Sequence, residues 1–271
     1  MVFQLQQLSK YGSSTPAIAR TFFQGSKLLD PFRLSDSIKD QVRQALFDFQ
    51  LRVIRCVEIC DDVRFKVEDG KYPAKGGGLQ MQSGHVAKLP SVPDVETLAE
   101  SYLQAAKLSV AYAIRIINPF FSTDFDHRLH QVVNWAKETF GEEDPLYEVT
   151  AAWQPFVKRV VDMRNAVDHP MDKPGGRLHI SNFRLQFVDS NPILVEPSWN
   201  LTGENALPIV TEMQRANDAL ILLGEDLLVT SLLKSEPNSP LYIYEIPESE
   251  RDAALPLRLR VGFDPSRVNK T

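Results

Sequence analysis

The chain has 271 residues, with 30 Lys+Arg against 35 Asp+Glu and a formal charge of −5. Its 43% hydrophobic and 24% charged residues are those of an ordinary globular protein, which excludes disorder and collagen-like repeats; two cysteines exclude a disulfide framework. The acidic balance also excludes a protein that coats nucleic acid through bulk charge, so a nucleic-acid substrate has to be met by a local patch.

The acidity is uneven. Residues 1–175 hold 21 basic and 22 acidic side chains, whereas residues 176–271 hold 9 and 13. The N-terminus lacks a continuous apolar targeting segment. The longest apolar stretches, Leu108–Ile117 and Ala219–Leu233, fall short of the ~20 residues of a membrane span. A cytoplasmic protein without membrane association is expected.

Residues 1–35 read as an irregular lead-in, broken by Gly12-Ser13-Ser14-Thr15-Pro16 and Asp30-Pro31. A long helix then starts, with Ser35 or Asp36 as N-cap. Its apolar positions Val42, Leu46, Phe49, Val53, Cys56, Cys60, Val63 and Val67 alternate spacings of four and three, a sustained seam for packing against antiparallel neighbours. Both cysteines lie on that seam, which makes them small core residues rather than a redox or metal pair.

A connection from about Gly70 to Pro93 follows, with Gly76-Gly77-Gly78. It lacks the spacing of a phosphate-binding loop, and use of Lys71, Lys75 or Lys88 as contacts is a minor alternative to a plain helix–helix connection. The second helix spans about Asp94 to Asn118, with Ala99, Leu103, Ala106, Val110, Ala113 and Ile117 inward and Pro119 ending it. A third covers about Asp124 to Phe140, closed by Gly141, and a fourth runs from Pro145 to about His169, with Pro155 expected to kink or restart it. Residues 36–170 therefore read as an up-and-down four-helix bundle.

After Pro174-Gly175-Gly176 the period changes. Phe183, Leu185 and Phe187 alternate with polar residues, Asp189–Pro192 is a turn, and Ile193–Val195 returns as a strand. A helix over about Asn205–Lys234 and strands at Leu241–Ile246 and Leu257–Val261 complete a small α+β unit with antiparallel strands over 176–271. The fold class expected is thus mainly α, a bundle followed by that unit.

Five histidines are candidates for chemistry. His127 and His130, with Asp124 and Asp126 near, have no nameable fourth ligand and read as surface residues at a helix start. His85 and His179 have no local partner set. His169 ends the run Asp162-Met163-Arg164-Asn165-Ala166-Val167-Asp168-His169-Pro170. At about 100° per residue, Phe156, Val160, Met163 and Val167 share one face, while Lys158, Asp162, Asn165 and His169 form a stripe on the opposite one. Asn165 stands one turn before His169 and can fix its tautomer, and Arg164 supplies a planar cation suited to phosphate. An imidazole beside a guanidinium suffices to cleave RNA without a metal. The plain structural alternative is an Arg164–Asp168 ion pair one helical turn apart.

At Arg164-Asn165-Ala166-Val167-Asp168-His169 the chain resembles the HEPN family (higher eukaryotes and prokaryotes nucleotide-binding domains), whose hallmark is an Arg, a polar residue and a His near the end of the last bundle helix. The resemblance implies a homodimer with two motifs facing one cleft, and a metal-independent endoribonuclease of toxin, antiviral or RNA-processing type. Arg164, Asn165 and His169 would be catalytic, Lys158 and Arg159 would hold RNA, and no metal or cofactor is called for. The other function expected of such a protein is a non-catalytic dimeric scaffold, partnered with a nucleotidyltransferase antitoxin. A helical adaptor whose C-terminal unit carries the function is the third.

Overall fold

A computed structural model describes residues 9–77, 81–82, 86–87, 89–168, 176–189 and 191–266. The chain is mainly helical, with short antiparallel strands towards its C-terminal side. Its contacts divide it into two units that interleave in sequence: residues 1–54, 108–155 and 219–271 form one, residues 55–107 and 156–218 the other. The boundaries fall inside the four longest helices, α3 (Asp36–Gly77), α4 (Val95–Arg115), α7 (Pro145–Asp168) and α8 (Ile209–Ser235).

The seam read from α3 is buried at all eight positions, and so are the six named for the second helix, although α4 ends at Arg115 and Ile117 lies past it. Ser35 is the N-cap: its Oγ accepts the Ile38 N–H at 3.3 Å. Burial pushes the Cys60 thiol up to about 11, which keeps it unreactive near neutrality.

In the first unit, Pro16–Leu29 winds as α1 (Pro16–Ile18), a π-turn (Ala19–Phe23) and α2 (Gln24–Leu29), where an irregular lead-in was expected. Two things order it. Ala17, Ile18, Ala19, Leu28 and Leu29 are buried, and Arg20 and Gln24, four residues apart, both reach the carboxylate of Glu225 on α8. Phe49 packs against α8 at Gly224, where a Cβ would lie 2.3 Å from the ring. The short helix α5 (Asn118–Phe121) carries Pro119 in its first turn, instead of the proline simply ending α4.

Helix α6 (Leu129–Phe140) begins five residues later than expected. The Asn118 side chain holds the intervening loop, donating to the Phe125 carbonyl at 2.9 Å and accepting the Phe125 N–H and the Thr123 hydroxyl, so these groups are not spent on a helix. Gly141, at φ 95°, closes α6 as read. Asp144 caps α7 through the Leu146 N–H and pairs with Lys234 at 2.5 Å. The helix passes Pro155 without restarting.

The first unit also holds the hairpin β8 (Leu241–Glu245) and β9 (Leu259–Phe263), which matches the two C-terminal strands expected. Tyr242 lies over Gly262, and with Tyr244 it forms an exposed aromatic pair, ring centres 5.8 Å apart.

In the second unit α3 continues to Gly77, seven residues past the expected break, and β1 (Met81–Gln82) pairs with β2 (Val86–Ala87). A three-stranded sheet runs in the order β3 (Leu178–Ser181), β6 (Ser198–Leu201), β7 (Leu207–Pro208). The expected hairpin is β4 (Arg184–Val188) with β5 (Asn191–Val195), and Asp189, at φ 49°, supplies the left-handed residue of its turn. Tyr102 is fully buried, its hydroxyl 2.8 Å from the Met213 carbonyl and 2.9 Å from Asn217 Oδ1. Burial holds its pKa well above the ordinary phenol value.

Candidate functional site at the end of helix α7

Helix α7 starts on a capping Asp-Pro pair, which fixes its phase for the remaining six turns. In its second half Val157, Val160, Met163 and Ala166 are buried, while Lys158 is exposed and Asp162, Arg164 and Asn165 are half-buried. Of the four positions read as the inward face, Val160 and Met163 are buried, whereas Phe156 and Val167 are half-buried and Val157 and Ala166 take their places. The centre of the buried face, and the polar stripe opposite it, keep the phase read from the sequence. Asn165 is the last site residue described. His169 lies outside the described residues, as do the Asp168 side chain, His85, Lys88 and the side chain of Lys75.

Arg164 and Asn165 are met by α4. Arg164 Nε donates to Gln104 Oε1 at 2.9 Å, and Lys107 Nζ approaches Asn165 Oδ1 at 3.4 Å. The Gln104 amide fixes the direction of the Arg164 Nε–H, and the Lys107 ammonium stands beside the Asn165 amide. Glu96, Glu100, Gln104 and Lys107 stand at spacings of four, four and three on α4. That polar stripe is visible in the sequence, but nothing there pairs it with α7.

The two residues read as RNA contacts are engaged elsewhere. Lys158 is ion-paired with Asp162 one turn on, and remains 75% exposed. Arg159 lies in a fork with Glu204, its Nη1 2.9 Å and 2.7 Å from the two carboxylate oxygens, and Glu212 stands 3.9 Å from Nη2. Glu204 follows β6 and was invisible as a partner, 45 residues away in sequence. Lys71 is likewise held by Glu68 and Glu196, both at 2.7 Å. Each of these pairs is solvated and weak, on the order of 0–1 kcal/mol, so an incoming phosphate can displace the carboxylate.

His127 Nδ1 donates to Asp126 Oδ2 at 2.8 Å, and Arg115 binds the same carboxylate. Arg115 first, then His127, hold the Asp126 carboxyl below its ordinary range. Among the described residues no three His, Cys, Asp or Glu side chains gather in a group that could hold a metal ion.

Beside the motif, Ala166 and Val167 form one wall of a groove of about 290 Å³. The start of α4, Arg177 and strand β3 supply the rest, with Glu96, Glu100, Arg177, His179 and Ser181 the polar side chains. His179 Nε2 is 3.0 Å from Thr202 Oγ1, whose hydroxyl donates to the Arg177 carbonyl at 3.2 Å. Thr202 has one hydrogen and has given it away, so its oxygen accepts from Nε2–H, and in the neutral imidazole Nδ1 is then the acceptor.

No protein-family model matches the chain, and no curated protein or solved structure does either. No helix among the described residues is long and apolar enough to cross a membrane.

Proposed function

We propose that this protein is a HEPN-like, metal-independent endoribonuclease of the toxin and antiviral-defence kind. Its site is composite, formed when the α7 ends of two subunits in a homodimer face each other. The observation that carries the reading is the placement of Arg164 and Asn165 on the last turns of α7, off its buried face, with Arg164 Nε donating to Gln104 on α4.

In this reading the His169 imidazole takes the proton of an RNA 2′-hydroxyl. The 2′-oxygen attacks the adjacent phosphorus, the P–O5′ bond breaks, and the imidazolium returns the proton to the leaving oxygen. The products are a 2′,3′-cyclic phosphate and a 5′-hydroxyl end. Arg164 balances the charge that builds on the phosphorane oxygens, and Asn165 keeps the imidazole in one tautomer. Lys158 and Arg159 exchange their carboxylate partners for RNA phosphates. The four-helix bundle of residues 36–170 and the α+β unit of 176–271 belong to the same proposal.

One observation favours a second reading, a non-catalytic HEPN-like dimer that acts as a scaffold for a nucleotidyltransferase: Lys158 and Arg159 are both already ion-paired. Labelled RNA incubated with the purified chain in EDTA separates the two. Cleavage that is lost in Arg164→Ala and His169→Ala supports the enzyme; equal cleavage by both variants overturns the site. Light scattering is expected to give twice the 30.6 kDa chain mass, and a monomer at every workable concentration would remove the composite site.

A further inference from the structure

The groove beside the motif has a lining that an RNA backbone would avoid. Glu96 and Glu100 stand one turn apart near the start of α4, and both are exposed. Two carboxylates repel a phosphate, so the groove is no extension of the backbone track. It is not self-neutralised either. Neither glutamate nor the Arg177 side chain has a hydrogen-bond or ion-pair partner among the described residues, although all three line the same space. Most other carboxylates and guanidiniums in this unit are paired, as Arg159–Glu204, Lys158–Asp162 and Lys71–Glu196 illustrate.

What the groove offers is a pair of anionic acceptors, a planar cationic donor and the acceptor nitrogen of an imidazole, within a volume of about 290 Å³. That suits one small planar group better than a chain segment. Of the four RNA bases, only guanine presents two adjacent parallel donors, N1–H and N2–H, to a single carboxylate, and its O6 and N7 accept from an arginine fork. Uracil has one ring donor, while cytosine and adenine each offer an exocyclic amine beside an acceptor that a carboxylate repels. Ala166 and Val167 give the base an apolar wall, and they follow Asn165 directly on α7.

The geometry points to this groove as a guanine-reading subsite: Glu96 or Glu100 takes the Watson–Crick edge of an unpaired guanine and Arg177 its O6/N7 edge, next to Arg164 and Asn165. His179, with Nε2–H tied to Thr202, contributes Nδ1 as a further acceptor. The inference rests on the RNA-cleaving reading for its biological meaning, but the binding it asserts stands apart from cleavage.

The test is a titration of the full chain with GMP, AMP, CMP and UMP, followed by calorimetry or ligand-observed NMR. GMP is expected to bind about tenfold to hundredfold more tightly than the other three. The Glu96→Gln/Glu100→Gln double variant and Arg177→Ala, all at exposed positions, are expected to keep the wild-type circular dichroism and lose the preference. GMP bound no better than AMP overturns the inference. So does a preference that the double variant leaves unchanged, or an arginine-rich peptide captured by the carboxylates in place of GMP. Guanine selectivity without RNA cleavage keeps this subsite and discards the nuclease. Cleavage alike at all four bases, with no GMP preference, does the reverse.

Discussion

Two clusters of charge, one in each unit, use the same side chains to opposite ends. In the first unit Glu225 is buried, and every valence of its carboxylate is taken. Arg20 Nε and Nη2 donate at 2.9 Å and 2.5 Å, Gln24 Nε2 at 2.7 Å and Arg258 Nε at 2.9 Å. Arg258 reaches on to Glu245, which also holds Arg251. In the second unit Arg164 is half-buried with its Nε on the Gln104 amide, and Lys158 and Arg159 sit in solvated pairs. A buried carboxylate has to be saturated or it destabilises the fold, so the first cluster is committed to structure. The second is held loosely enough to exchange partners.

The largest effect expected from testing this contrast is on chemistry. Arg164→Ala or His169→Ala should reduce RNA cleavage by about 10²- to 10⁴-fold, measured with a labelled oligonucleotide in EDTA, and leave the urea midpoint unchanged. A parallel fall in stability would show that the α7 end is structural after all. Next in size is Glu225→Ala, which leaves two guanidiniums facing each other without their carboxylate. It should lower unfolding free energy by about 3–5 kcal/mol in urea denaturation, and Glu225→Gln by less. A loss within about 1 kcal/mol would place the cluster with the weak surface pairs.

Gly224→Ala is a smaller perturbation of the same unit. The added methyl overlaps the Phe49 ring, with 2.3 Å to the nearest carbon, and overpacking of this kind costs about 1–3 kcal/mol, against a gain of about 1 kcal/mol in helix propensity. A lower melting temperature is expected, and Phe49→Leu in the same chain should restore part of it.

The smallest effect concerns Asp226, next to Glu225. Burial raises its carboxyl pKa, against the opposing pull of Trp153 Nε1–H, which donates to Oδ2 at 2.9 Å. A carboxyl with a raised native pKa binds its proton more tightly folded than unfolded. The ionised form therefore detracts from stability at neutral pH, and the deficit fades as pH falls through the raised value towards the ordinary 3.8. Asp226→Asn should thus be slightly more stable than the parent at pH 7 and lose its advantage in acid. A variant less stable at pH 7 would mean that attraction from Arg258 outweighs the burial.

Periodicity carried most of what the sequence revealed. The eight-position seam of α3 and the six of the expected second helix were legible because heptad spacing needs no knowledge of partners, and so were α8 and both hairpins. What stayed hidden depends on side chains that compete with the local pattern. Asn118 takes up the groups that would have started α6 early, and Arg20 with Gln24 order a segment whose glycines and prolines read as loop. Strands β6 and β7 are too short to show a period, whereas the strand expected around His179 is β3. At the site, the phase of Arg164 and Asn165 on α7 followed from helix geometry. Their neighbours did not, since Gln104 is 60 residues from Arg164 and only packing joins them.

One amide has a consequence for timing. Gln24 Oε1 accepts the backbone N–H of Arg258 at 2.6 Å and of Leu259 at 2.8 Å, 234 and 235 positions further along the chain. During synthesis the helical turns near residue 20 emerge early, but the Gln24 carbonyl meets these two amides only after residue 259 has left the ribosome. Closing so large a loop is slow, and it separates completion of the first unit from the emergence of its first helical turns by at least 234 residues of synthesis.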